Sequence, residues 1–257
     1  MTVTDAMLAG WLQQYFWPFL RIGALILSAP LFNARAVSPR IRLMFALVLT
    51  ALMAPLLPKL PPMVLFGSDW WLAILHETIV GLALGLALQL VFEAAMMAGE
   101  LVSYGMGLGF AQLVDPLHGA AAPMLGQFYQ VCAMLLFLSL GGLLQLAQLL
   151  ADSFRLAPVG GALEASSFLA LAQFGGLCFA GALRIALPAV TALLLVNLGF
   201  GAMNRSAPAL NALSIGFPLA LIAGLVALCL SLPQLQVALT DLVAQAMAFA
   251  GQWLKDN

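Results

Sequence analysis

The sequence predicts an all-α integral membrane protein of about six long, partly broken helices arranged in hairpins. Of its 257 residues, 64% are hydrophobic and 7% are charged, whereas a soluble domain is about half apolar and a quarter charged. Polar residues, glycines and prolines separate six apolar segments, near residues 8–32, 43–57, 70 to beyond 92, 128–150, 168–200 and 217–253. A helix that crosses a bilayer needs ~20 such residues, so six segments predict six spans.

The same composition excludes several classes of protein. A soluble monomeric enzyme has no way to hide this much apolar side chain, and a disordered chain needs low hydrophobicity and high net charge. Nucleic-acid binding is not expected, because 9 basic and 10 acidic residues give a net charge of −1 with no basic stripe.

Three stretches are longer than a single span requires. Residues 71–113, 167–203 and 217–254 would, as continuous helices at ~1.5 Å per residue, far exceed a ~30 Å hydrocarbon core. Either they are broken or they rise out of the membrane against neighbouring subunits. Candidate break points are Gly105, Gly107, Gly109, Pro188 and Pro233.

Basic residues give a partial orientation. The loop of residues 33–42 carries Arg35, Arg40 and Arg42, the densest basic cluster of the chain. The positive-inside rule places this loop in the cytoplasm and the N-terminus on the periplasmic side. The first ten residues carry only Asp5, so no cleaved signal peptide is expected.

A few charges interrupt the apolar segments: Arg21, Glu77, Glu93, Glu100 and Arg184. A charge at the bilayer centre costs at least ~2.5–3.5 kcal/mol, so such groups usually have a partner or line a pathway. One interpretation is a proton relay through His76, Glu77 and Glu93. The other is pairing within the chain or between subunits, for instance of Glu77 with Arg21 or Arg184.

No motif predicts catalysis. The sequence contains no G-x-S-x-G, H-E-x-x-H or phosphate-binding loop and no cluster of cysteine and histidine. We therefore expect no enzymatic activity, metal or cofactor.

Small residues predict close helix packing. Gly81 and Gly85 form a G-x-x-x-G pair, which lets two backbones approach in lipid. The pattern alone does not separate packing within the chain from packing between subunits.

The stretch of residues 99–128 is rich in glycine and lacks a helical pattern. A loop at membrane depth must be covered by protein or line an aqueous cavity. This one predicts either a re-entrant plug or a surface re-entrant turn. Its candidate gate residues are Gly109, Phe110, Leu113, Asp115, Pro116, Leu117, His118 and Met124.

A second polar interruption predicts a tight cytoplasmic hairpin between the last two apolar segments. It covers residues 204–218 and includes Asn204, Arg205, Pro208, Asn211, Gly216 and Pro218.

In order along the chain, these pieces resemble the FliR/SctT family of export-gate proteins. Arg21 and Pro30, followed by residues 38–42 (SPRIR), resemble the start of that family. Gly99-Glu100, Gly105-Met106-Gly107 and Asp115-Pro116 resemble its central motif, and residues 204–218 resemble its C-terminal hairpin.

The resemblance implies a non-enzymatic gating subunit of the flagellar type III export apparatus at the bacterial inner membrane and the flagellar basal body. The implied partners are FliP, FliQ, FlhB and unfolded exported flagellar proteins, in a helically arranged complex. Residues 1–166 would be FliP-like and residues 167–257 a FliQ-like hairpin, and residues 110–123 would plug the closed pore. Charges such as Glu77, Glu93 and Arg184 would lie in subunit contacts.

The sequence is also compatible with other functions. A virulence type III secretion homologue of the same family would share the architecture. A self-contained secondary transporter would use broken helices and a midplane site, although no internal repeat is evident. An intramembrane enzyme would need a catalytic dyad that is not found.

Overall fold

The computed structural model describes residues 5–33, 37–57, 63, 66–109, 124–206 and 212–256, and within these ranges the secondary structure is helical, with no strand. The all-α prediction is confirmed. The helices are α1 (Asp5–Ser28), α2 (Pro30–Asn33), α3 (Pro39–Met53), α4 (Ser68–Gly105), α5 (Met124–Ser139), α6 (Gly142–Leu156), α7 (Ala165–Ser206) and α8 (Ala212–Lys255). A 3₁₀ turn, Ala54–Leu56, extends α3.

Three helices are far longer than a bilayer core. Helices α4, α7 and α8 contain 38, 42 and 44 residues, which corresponds to about 57–66 Å at ~1.5 Å per residue. Pro188 lies inside α7, and Pro218 and Pro233 lie inside α8. These prolines therefore do not end the helices, whereas α4 does end at the predicted glycine-rich point.

The number of spans differs from the six predicted segments. In the described residues, four helical stretches are long and apolar enough to cross a membrane: Pro39–Leu56, Ser68–Gly105, Ala165–Met203 and Pro218–Lys255. The fourth predicted segment is instead the pair α5 and α6, bent by 70°, which would add a fifth span if it crosses as one. The first predicted segment, α1, is not among the four.

Polar side chains explain why α1 differs from an ordinary span. The Gln13 Nε2 donates to the Met63 carbonyl at 2.8 Å, and the Met63 N–H donates back to Gln13 Oε1 at 3.0 Å. Gln14 Nε2 donates to the Ala54 carbonyl at 2.9 Å. These polar side chains of α1 thus bind backbone atoms elsewhere in the protein. They also lower the mean hydropathy of α1.

The chain divides into two compact units. Unit 1 comprises Met1–Leu90, Gly141–Gly175 and Ala244–Asn257. One of its cores contains Trp17, Trp70 and Phe154, joined by Leu57, Ala73 and Val159. The rings of Trp17 and Trp70 lie 4.6 Å apart, and Phe16 stacks on Trp70 at 5.2 Å. This aromatic cluster lies within a few residues of Arg21 in α1 and of Glu77 in α4.

Unit 2 comprises Val91–Leu140 and Gly176–Val243. Phe92 of α4 meets Phe137 of α5 edge to face at 5.6 Å. The Tyr129 and Ser231 hydroxyls, both buried, lie 3.1 Å apart and join α5 to α8. This unit carries both helix ends that flank the predicted gate loop.

Candidate functional site

Among the described residues, the most deeply buried charges form an ion pair between α1 and α4. Arg21 and Glu77 are both fully buried. Arg21 Nε donates to Glu77 Oε2 at 2.8 Å and Nη2 donates to Oε1 at 2.8 Å. This bidentate geometry matches the planar guanidinium to the carboxylate and is the strong form of such a pair.

The remaining contacts of Arg21 reach α6 and the residue that follows it. Nη1 donates to the Ser153 hydroxyl at 3.0 Å, and Nη2 donates to the Ala157 carbonyl at 2.9 Å. The guanidinium carbon also lies 4.1 Å from the centre of the Phe154 ring, a cation–π distance. One side chain of α1 therefore joins α4 and α6, and we call Arg21, Glu77, Ser153 and Phe154 the Arg21 cluster.

The partners of Arg21 on α6 were not foreseen from the sequence. Ser153 and Phe154 are separated from Arg21 by about 130 residues and carry no charge. Their signal in the sequence is faint: a serine one helical turn after Leu150, within a helix whose buried positions recur at Leu146, Leu150 and Phe154.

His76 extends the cluster on one side. Its Nδ1 lies 3.1 Å from Glu77 Oε1, and the side chain is 3% exposed. Its Nε2 is buried with no hydrogen-bond partner among the described residues. The structure thus joins His76 and Glu77 of the hypothetical relay to Arg21, an arrangement that holds Glu77 in an ion pair.

The other three intramembrane charges take part in neither of the two ion pairs described above. Glu93 and Glu100 of α4 are half-buried, and Arg184, at the middle of α7, is exposed. On the same helix, exposed apolar side chains surround this arginine; among them are Leu177, Phe179, Leu183, Leu187 and Leu194. An exposed arginine within an otherwise apolar span is costly in lipid.

The G-x-x-x-G pair lies where α4 crosses α1. A Cβ added at Gly81 would lie 2.8 Å from the Ala24 Cβ, and one added at Gly85 would lie 2.8 Å from the Leu25 carbonyl oxygen. Both distances are too short for real side chains, so the close approach of these two helices depends on the two glycines. The approach is made within unit 1 of this chain.

The predicted gate loop lies almost wholly outside the described residues. Phe110, Leu113, Asp115, Pro116, Leu117 and His118 belong to residues 110–123, which the structure does not describe. Gly109 ends the preceding turn, and Met124, 84% exposed, begins α5.

The helix ends on either side of this loop are closely packed. Gly107 has φ of 79°, Leu108 N–H donates to the Ser103 carbonyl and Gly107 N–H donates to the Tyr104 carbonyl. This is a Schellman termination of α4. A Cβ added at Gly99 would lie 2.8 Å from the Gly126 Cα, so α4 and α5 touch backbone to backbone about three turns before the loop and within one turn after it. Gly126 was not singled out from the sequence, although a glycine on each flank is the signal that would have found it.

The predicted hairpin is narrower than residues 204–218. Asn204 and Arg205 belong to the last turn of α7, and Gly216 and Pro218 lie within α8. Pro208 and Asn211 lie outside the described residues. The helices thus extend further toward the turn than the polar residues suggested.

The fold and these sites define a class: a multi-pass, all-α membrane protein whose buried charges hold helices together. Among the described residues, no group of three His, Cys, Asp or Glu side chains is arranged to hold a metal ion.

Comparison with known proteins gives the family. The profile of "Bacterial export proteins, family 1" matches residues 12–246. The chain is 42% identical over 227 residues to "Flagellar biosynthetic protein FliR" of Pectobacterium carotovorum subsp. carotovorum, which covers 88% of this chain and 87% of the relative. It is 42% identical over 226 residues to the protein of that name in Escherichia coli (strain K12), which covers 88% and 86%. The Bacillus subtilis (strain 168) protein of the same name is 32% identical over 206 residues, which covers 78% and 79%. The chain belongs to the FliR family of bacterial export proteins.

Proposed function

We propose that the chain is a non-enzymatic structural and gating subunit of the flagellar type III protein export apparatus. With FliP and FliQ, and next to FlhB, it forms the inner-membrane pore through which unfolded flagellar proteins leave the cytoplasm. The N-terminus is periplasmic, and the complex stands at the flagellar basal body. The observation that carries this proposal is the identity of 42% to FliR proteins over 88% of the chain.

The flagellar system is favoured over a virulence secretion system. The relatives of highest identity reported above carry the name of a flagellar biosynthetic protein. The sequence of the loop of residues 33–42 also resembles the flagellar branch of the family.

The exposed surface of α7 supports a role within an assembly. Arg184 and its apolar neighbours are exposed on a helix of 42 residues, of which about 30 Å at most lies in hydrocarbon. Facing partner subunits, the arginine acquires acceptors and the apolar residues acquire packing. In this proposal, residues 1–166 are the FliP-like part and residues 167–257 the FliQ-like hairpin. Glu93 and Glu100 join Arg184 in subunit contacts.

The flanks of residues 110–123 support a plug. The preceding helix is terminated firmly at Gly107, and the flanking helices touch at Gly99 and Gly126. The helices before and after the loop are thus held against each other. In the closed state, we propose, residues 110–123 fill the pore.

A pull-down experiment tests the assembly. The tagged chain is purified in mild detergent from cells that also express FliP and FliQ, and the copurified subunits are quantified. We expect the Arg184→Glu variant to lose most of the copurified partner, because a like charge then meets the acceptor, and the Arg184→Lys variant to retain it. Arg155→Glu, at an exposed position near the end of α6, is the matched control and should bind as the wild type does. A wild-type chain that purifies as a lone monomer contradicts the proposal.

A permeability experiment tests the plug separately. Residues 110–123 are replaced by a Gly/Ser linker of equal length, and ion leakage is followed by membrane potential. We expect leakage when FliP and FliQ are present and none when they are absent, since the pore needs all three. Unchanged permeability in the complete complex removes the plug while leaving the assembly proposal intact.

A further inference from the structure

An apolar groove of about 460 Å³ runs between α1, α3 and the adjoining side of α4, all within unit 1. Its walls are aliphatic and aromatic, with Leu27 on α1 and Leu43 and Ala46 on α3. Arg42 is the charged side chain of the described lining. A cavity of this size with apolar walls and one polar end fits a ligand that has an apolar body and an anionic head.

The charged end of the groove lies at one end of a membrane span. Helix α3 begins at Pro39, which also begins the span Pro39–Leu56. Arg40 and Arg42 lie in its first turn, Arg40 exposed and Arg42 half-buried. Such a turn stands at the boundary between hydrocarbon and water, where lipid phosphates lie, and the positive end of the α3 dipole points the same way.

The length of the groove suits one leaflet. Its lining on α1 extends from Phe19 to Leu27, about 12 Å along the helix at ~1.5 Å per residue. Half of a ~30 Å hydrocarbon core is about 15 Å. On α3 the lining runs from Pro39 to Ala46, about 10 Å, so a chain that enters beside the first turn of α3 contacts the groove for much of the depth of a leaflet.

We propose that this groove binds one acyl chain of an anionic phospholipid, with the phosphate held by Arg42, the charged residue of its lining. The argument is charge complementarity at the interfacial end and apolar complementarity along the wall. The lipid fills a space next to the crossing of α1 and α4, so its binding favours the packed form of unit 1. This site is independent of the flagellar role proposed above.

Gly23 provides a direct way to close the groove. It lines the groove, and a Cβ added there would meet nothing within 4 Å. A leucine at this position therefore starts in open space and takes up room that the acyl chain would fill. Gly176 on α7, where an added Cβ also meets nothing within 4 Å, gives a matched control outside the groove.

Native mass spectrometry of the full chain tests the proposal. The protein is released from detergent with any subunits that copurify, after titration with palmitoyl-oleoyl phosphatidylglycerol or with the phosphatidylcholine of the same chains. We expect about fivefold tighter binding of the anionic lipid, since one basic residue near a headgroup adds about that factor. Gly23→Leu should reduce binding of both lipids, and Gly176→Leu should reduce neither.

Two further variants separate the contribution of the lipid headgroup from that of the acyl chain. Arg42→Gln should lower phosphatidylglycerol binding to the level of phosphatidylcholine without changing the latter. Arg40→Gln, at an exposed position of the same turn that does not line the groove, is the matched control and should bind both lipids as the wild type does. Equal binding of both lipids by the wild type, or unchanged binding by Gly23→Leu, overturns the proposal. So does a cross-link from Gly23→Cys to a copurified subunit, which would make the occupant a protein helix.

Discussion

At the scale of single residues, the Arg21 cluster shows how a membrane protein uses a charge as a joint. The guanidinium satisfies a carboxylate, a hydroxyl and a carbonyl and lies on an aromatic ring. Glu77 belongs to α4, Ser153 and Phe154 belong to the last turn of α6, and Ala157 follows that helix. The cost of burying the charge is offset only while all of these partners remain in place.

Removing one member of the pair should therefore destabilise the protein strongly. We expect Glu77→Gln to lower the free energy of unfolding by about 3–5 kcal/mol, because it leaves a buried arginine uncompensated. Arg21→Met with Glu77→Leu should recover much of that loss, since apolar residues of similar volume often replace a buried pair without penalty. Tryptophan fluorescence during thermal unfolding in detergent measures both, and equal loss in the single and double variants would contradict the pairing argument.

The glycines of the α1–α4 crossing give a second test. Gly85→Ala places a methyl group 2.8 Å from the Leu25 carbonyl oxygen and should cost about 1–3 kcal/mol by overpacking. Gly175→Ala, where an added Cβ meets nothing within 4 Å, should instead gain about 0.5–1 kcal/mol from helix propensity. The same unfolding measurement compares them, and a stabilising Gly85→Ala would show that the two helices separate readily.

How much the sequence predicts differs between these residues. Composition and the rarity of charges single out Arg21, Glu77 and Arg184, because each is costly in lipid. The choice of partner is not encoded locally: Arg21 meets Glu77 at a separation of 56 residues, while Arg184 remains exposed. The G-x-x-x-G spacing predicts close packing without naming α1, since many helix surfaces accept such a motif.

At the scale of elements, the ends of helices are more informative than their middles. Helix α4 stops at a left-handed glycine, whereas α7 and α8 continue through Pro188 and Pro233. Proline removes one donor and bends a helix, but in membrane helices neighbouring groups compensate and the helix continues. A proline inside these long apolar segments is therefore weaker evidence for the end of a helix than Gly107 is.

Gly107 gives the prediction at this scale. Its φ of 79° disfavours a residue with a Cβ by roughly 1–2 kcal/mol. Gly107→Ala should therefore loosen the last turn of α4, and Gly107→Asn should do so less, because asparagine tolerates the left-handed region. Amide hydrogen exchange of residues 102–108 measures the effect, and identical exchange in the two variants would contradict the Schellman termination.

At the scale of the whole molecule, the number of membrane spans does not follow from the number and length of the helices. The apolar segments predicted helices correctly in existence and order. They did not predict that α1 would use its polar side chains on backbone atoms, or that the fourth segment would bend by 70°. The first difference arises from contacts with residues distant in sequence, which no local pattern contains. The bend lies instead at Gly141, whose φ is 71°, so the Gly141-Gly142 pair is a local signal of it.

The bent pair leads to a prediction about sidedness. Helices α5 and α6 contain 16 and 15 residues, about 24 and 22 Å, each shorter than a ~30 Å core. We expect the pair to return to the side from which it enters, which leaves four crossings between Ser38 and Asp256. Ser38→Cys and Asp256→Cys, in a chain whose native cysteines are replaced, should then react with an impermeant maleimide from the same side. Labelling from opposite sides would show that the pair crosses.

The Arg21 cluster also constrains the order in which the helices can pack during synthesis of the chain. A ribosome adds about 5–20 residues per second, so Glu77, 56 residues after Arg21, is made about 3–11 seconds later. Ser153 and Ala157, 132 and 136 residues after Arg21, follow after about 7–27 seconds. Until then the arginine lacks the partners that make its burial tolerable. The first helix to be synthesised is thus the one that must wait for the others before it reaches its final position.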